Sequence, residues 1–136
     1  MKVSSAYLVV LLLLVPAGCR ENPDEPSESV RKLRTCRRLI EDSTAVVLTL
    51  KKGMNANELE MLEKERSRGL QACLLKHPDF PGRCIDLTSR ESIQKSMELA
   101  TTLCMSWPDV LVDCLRRQDQ ESPGCQKALE AFRGKD

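Results

Sequence analysis

Between residues 30 and 133 the apolar side chains recur at helical rather than strand spacing. Leu33, Cys36 and Ile40 stand at i, i+3 and i+7, and Val47 continues the line. This predicts a first helix over about 30–51. Residues 44–50, TAVVLTL, are rich in β-branched side chains and would suit a strand in isolation. The flanking pattern is helical and no partner strand is visible, so the stretch is assigned to the same helix. Gly53 is a stop signal, and Asn55 with Glu58 has capping-box spacing. A second helix is expected over about 56–76, with Leu59, Leu62, Leu70 and Cys73 inward. Its middle, EKERSR, is polar all round and Gly69 weakens it, which predicts an exposed stretch. His77-Pro78-Asp79-Phe80-Pro81-Gly82 reads as a loop, since two prolines and a glycine deny it regular structure.

Thr88 and Glu91 have the spacing of a second capping box, ahead of a third helix over about 89–106 with Ile93, Met97, Ala100 and Cys104 on one face. Trp107-Pro108 breaks it, and Pro108 suits the first position of a short fourth helix lined by Val110, Leu111, Cys114 and Leu115. Ser122-Pro123 repeats the device for a fifth helix, whose stripe is Cys125, Ala128, Leu129 and Phe132. No segment reads as a strand. The expected fold is all-α, a small irregular bundle of about five helices braced by disulfides over residues 30–133, with a short tail at 134–136.

The bracing is inferred from the cysteines. Each inward stripe carries at least one of Cys36, Cys73, Cys84, Cys104, Cys114 and Cys125, which favours structural bridges over exposed reactive thiols. Six cysteines allow 15 connectivities. Pairing 36–73 suits an antiparallel hairpin of the first two helices; local pairs 73–84 and 114–125, leaving 36–104, are equally reasonable. A weak internal echo bears on this: CLLKHPDFPGRC (73–84) and CLRRQDQESPGC (114–125) share length, an opening Cys-Leu and a Pro-Gly before the closing cysteine.

The amino-terminal pattern differs. Lys2 is followed by an unbroken apolar run from Tyr7 to Val15 and then by the small residues Ala17 and Gly18. This is the layout of a secretory signal over residues 1–18, too short to span a bilayer comfortably. Export places the chain in an oxidising compartment, where disulfides persist. From Arg20 to Ser29 the sequence RENPDEPSES holds two prolines, four acids and no aliphatic residue, so residues 19–29 are expected to be a solvated linker. A cluster of Arg31, Lys32, Arg34, Arg37 and Arg38 follows. It reads as a solvated helix face, or as a patch that touches anionic head groups or a cell-wall polymer.

Residues 16–19, Pro-Ala-Gly-Cys, lie where the apolar run ends. They resemble the lipobox of bacterial lipoproteins, with Pro16 in the place an aliphatic residue usually takes. The resemblance implies cleavage between Gly18 and Cys19 and a diacylglyceryl group on the Cys19 sulfur. Two or three acyl chains hold a protein firmly at a bilayer, where one does not. Arg20 follows Cys19 in place of an inner-membrane retention aspartate, so an outer membrane is implied if the source has one. Ordinary secretion, with cleavage after Ala17, is the alternative, giving a soluble periplasmic or secreted product. CMSWPDVLVDC (104–114) resembles the cysteine-helix-cysteine segment of short cysteine-rich helical lipoproteins of uncertain function, a family that implies no activity.

Composition narrows the rest. Without residues 1–18 the 21 basic side chains lose Lys2, leaving 20 against 20 acidic ones. That balance supplies no long-range field for nucleic acid, and none is expected as a partner. His77 is the one histidine, so no metal site and no cofactor is expected. His77 and Asp79, with Lys76 beside them, could form an acid/base pair, but they lie in a proline-rich loop whose default is a solvent-exposed polar surface. No nucleophile elbow, zinc-protease motif or phosphate-binding glycine loop is present, and no catalytic residue is assigned. The expected function is a membrane-tethered lipoprotein of the cell envelope with a non-enzymatic structural or protein-interaction role, its partners the membrane and an envelope protein or polymer. The alternative is an exported six-cysteine helical carrier of a small apolar ligand.

Overall fold

The computed structural model describes residues 24–134. The signal segment 1–18, Cys19, linker residues 20–23 and the last two residues of the tail lie outside them. The described chain is all-helical, in the order α1 (Glu28–Lys51), α2 (Ala56–Ser67), α3 (Leu70–Lys76), a 3₁₀ turn (Pro81–Cys84), α4 (Arg90–Met105), α5 (Asp109–Arg117) and α6 (Pro123–Arg133).

α1 is the spine of the fold. Ser27 caps it by accepting from the Val30 N–H at 3.4 Å. The threonine hydroxyls of the β-branched stretch find partners within the helix. Thr44 donates to the Ile40 carbonyl at 2.6 Å, and Thr49 to that of Ala45 at 2.9 Å. Thr44 is thereby buried at no polar cost, between Ile40 and Val47 on the face that meets the 3₁₀ turn, α4 and α5. Lysines pin both ends. Lys32 Nζ donates to the Trp107 carbonyl at 2.8 Å and pairs with Asp109 at 2.5 Å. Lys51 Nζ reaches the Leu87 carbonyl at 3.5 Å.

The expected second helix is two helices, which raises the number from five to six. Gly69 has φ +96°, a backbone state that ends α2 and turns the chain into α3. The Asn55–Glu58 capping box forms, with Asn55 accepting from the Glu58 N–H at 3.0 Å and Glu58 accepting from the Asn55 N–H at 2.8 Å. The second box does not. Thr88 turns back to Asp86, and Ser89 caps α4 instead, accepting from Ser92 N–H at 3.1 Å. Thr88 can satisfy its hydroxyl and its own N–H on one carboxylate, which leaves the cap to its neighbour.

The expected loop 77–82 is partly a packed element. Pro78, Pro81 and Gly82 are buried, and the 3₁₀ turn lies against α1. A Cβ at Gly82 would collide with the backbone of Ser43 and Thr44. The absence of a side chain is what lets the two backbones approach.

All six cysteines of the described residues are buried and bridged. Cys36–Cys104 joins α1 to α4, Cys73–Cys84 joins α3 to the 3₁₀ turn, and Cys114–Cys125 joins α5 to α6. The two local bridges each close eleven residues with Cα atoms 5.6 Å apart, so the internal echo has a common geometry. The 36–73 pairing is excluded here, because the break at Gly69 carries Cys73 to Cys84. At the far end Trp107 meets Phe132 edge to face, with centroids 5.6 Å apart, closing α6 on the core. The α5 stripe is Leu111, Val112, Cys114 and Leu115. Val110, expected inside, is 62% exposed: it stands in the first turn of α5 at the edge of the buried arc, whose centre falls between Leu111 and Leu115.

Candidate functional site: an apolar groove and its ion-pair cluster

α2 buries no residue completely. Its apolar side chains Leu59 and Leu62 are half-buried, and Met61 is 62% exposed. It packs on α3 and the 3₁₀ turn rather than closely on α1. Between the end of α1, the turn at Gly53-Met54, α2 and the 80–83 segment lies an open groove of about 600 Å³. Its walls are mostly apolar: Val47 and Leu50 from α1, Met54, Met61 and Leu62, and Phe80. Leu50 is 51% exposed along it. Three polar side chains line it. Thr49 donates to the Ala45 carbonyl. Glu58 is occupied by its capping box. The Arg83 guanidinium makes no hydrogen bond with the described residues, and its Nε lies 3.4 Å from Glu65.

Glu65 joins the groove to a cluster of cations. Its Oε2 lies 2.9 Å from His77 Nε2, and Lys76 Nζ is 3.9 Å from its Oε1. Burial works to raise the Glu65 pKa. The charges of Arg83 and His77, the His77 hydrogen bond and Lys76 outweigh it, so the carboxyl titrates below its ordinary value. Next to it Arg66 pairs with Asp86 at 3.2 Å. Asp86 also lies below its usual range, chiefly through hydrogen bonds from the Thr88 N–H and hydroxyl. The EKERSR stretch is therefore not a uniformly exposed face: Glu65 and Arg66 turn inward and fasten α2 to the 77–86 segment. Helical periodicity misses this because both residues are charged. The signal in the sequence is the presence of Lys76, His77 and Arg83 on the segment that follows.

His77 is correspondingly not the solvent-exposed loop histidine expected of it, with only 17% of its side chain exposed. Asp79 is not its partner. Asp79 pairs with Arg133 at 2.7 Å and ties the loop to the end of α6. The His77–Glu65 pair is surrounded by cations and by Cys73, which is held in a bridge. Its geometry is that of an electrostatic clasp. Among the described residues no three His, Cys, Asp or Glu side chains gather as metal ligands.

The basic cluster on α1 divides. Lys32 turns inward to Asp109 and Trp107, and Arg31 meets linker residue Glu25 at 3.5 Å. Arg34, Arg37 and Arg38 stay exposed on the first turns of α1, next to the linker. Gly18 and Cys19, the sites of cleavage and lipidation implied by the lipobox resemblance, lie outside the described residues. No helix among the described residues is long and apolar enough to cross a membrane, and three disulfides are compatible with an exported protein. No family model, curated protein or solved structure matches the chain.

Proposed function

We propose that the chain is an exported lipoprotein held at the cell envelope by acyl chains on Cys19, with a non-enzymatic structural or protein-interaction role. Cysteine parity carries the reading. The six cysteines of the folded domain pair among themselves, so the seventh, Cys19, has no bridge to make within it and stands in the lipobox-like Pro-Ala-Gly-Cys. The nine residues from Cys19 to the Ser27 cap reach at most about 30 Å, which keeps the domain close to the bilayer. The exposed arginines of the first turns of α1 then belong to the tethered end. The groove lies at the other end of α1, about 30 Å away at 1.5 Å per residue.

Intact mass of the protein extracted from membranes tests this. The expected product begins at Cys19, carries acyl mass there, and gains two hydrogen atoms per bridge for three bridges on reduction. A mature chain that begins at Gly18 without acyl mass overturns it. A second reading, an exported carrier of a small apolar ligand, is favoured by the open apolar groove at α2.

A further inference from the structure

We propose that the groove between α1 and α2 binds a single-chain fatty acid, with its hydrocarbon along Leu50, Met54, Met61 and Leu62 and its carboxylate on Arg83. The inference deepens the carrier reading and is independent of the lipid anchor.

The apolar part follows from what α2 leaves unfilled. A helix with no fully buried residue, facing an open groove of about 600 Å³, leaves apolar surface in water that a ligand would remove. The volume is within the range of small-molecule sites, roughly 300–1,000 Å³. Two methionines on its walls suit a flexible chain, because an unbranched thioether side chain repacks around irregular shapes.

The acid end follows from charge. Around Glu65 a single carboxylate faces Arg83, Lys76 and His77, so the cations outnumber it even with His77 neutral. Arg83 is the member of this cluster that also lines the groove. It is 41% exposed and ion-paired to Glu65 through Nε at 3.4 Å, beyond which it makes no hydrogen bond to the described residues. A second carboxylate arriving there balances the cluster and finds a planar donor suited to two-pronged contact. The other acid at the groove, Glu58, is turned to the Asn55 N–H and does not oppose it.

The experiment uses the exported, disulfide-bonded chain with Cys19→Ser, stripped of bound lipid, and titrates it with dodecanoate and with dodecanol. Dodecanoate is expected to bind saturably at one per chain. Met61→Glu, at an exposed position, is expected to abolish binding of both probes. Arg83→Gln is expected to weaken dodecanoate about tenfold, the scale of one charge-assisted hydrogen bond, and to leave dodecanol unchanged. Saturable dodecanol binding without dodecanoate binding overturns the fatty acid and leaves the carrier reading standing. Absence of both overturns both. Dodecanoate binding indifferent to Met61→Glu places the ligand elsewhere and overturns the assignment. So does a chain that self-associates through this groove, shown by a dimer that Met61→Glu dissolves and dodecanoate does not.

Discussion

Gly82 lies so close to the backbone of Ser43 that no side chain fits between them. The 3₁₀ turn and the middle of α1 therefore meet backbone to backbone, beneath buried Pro81 and beside Thr44. Gly82→Ala is expected to push the turn off α1 and to cost at least about 1–3 kcal/mol, the range for overpacking a filled core. Urea unfolding checks this. Gly124→Ala, in the first turn of α6 where a Cβ meets nothing within 4 Å, is the control and should leave the midpoint unchanged or raise it slightly.

The bridges should differ in worth according to the loops they close. Cys36–Cys104 spans 68 residues, and the other two span 11 each. Loop-closure entropy gives about 4.4 kcal/mol for the long bridge and about 2.8 kcal/mol for each short one. Paired Cys→Ala variants compared by chemical unfolding should rank in that order. Equal costs would show that the bridges act through local strain or packing instead.

Acid should loosen the clasp on α2. The pKa values of Glu65 and Asp86 in the folded chain lie below their ordinary values of 4.5 and 3.8. The unfolded chain thus binds protons more readily than the folded one as pH falls. Their contribution is fully present above those ordinary values and is lost as pH drops through the lower folded ones. The unfolding midpoint should hold level from neutral pH down to the ordinary carboxylate range and then fall. Glu65→Gln should lower the midpoint at neutral pH and flatten that acid limb.

Two backbone sites should respond in opposite directions. Gly69→Ala forces a side chain into φ +96° and should destabilise by about 1–3 kcal/mol. Hydrogen exchange should then speed up in α2 more than in α1. Gln118 sits at φ 54° in the left-handed cap that ends α5, a position where glycine is the usual occupant. Gln118→Gly should stabilise by about 0.5–1 kcal/mol, read as a higher Tm.

Much of this architecture is written in local spacing. The inward lines Cys36-Ile40-Val47, Ala100-Cys104 and Cys125-Leu129-Phe132 can be read directly, because an α-helix repeats its side chains every 3.6 residues whatever lies around it. The Asn55–Glu58 box and the Ser122 cap are equally local, since their hydrogen bonds close within one turn. The lipobox-like segment before Cys19 is a matter of sequence alone. Tertiary structure decided what depends on distances through space. It chose 73–84 over 36–73, because the positive φ of Gly69 ended a helix that periodicity alone would continue. It turned Glu65 and His77 toward each other and sent Asp79 to Arg133, since charged residues find partners by proximity and leave no hydrophobic pattern. It also left the groove at α2 open. A void is set by how several elements fail to fill space together, and no single segment encodes that.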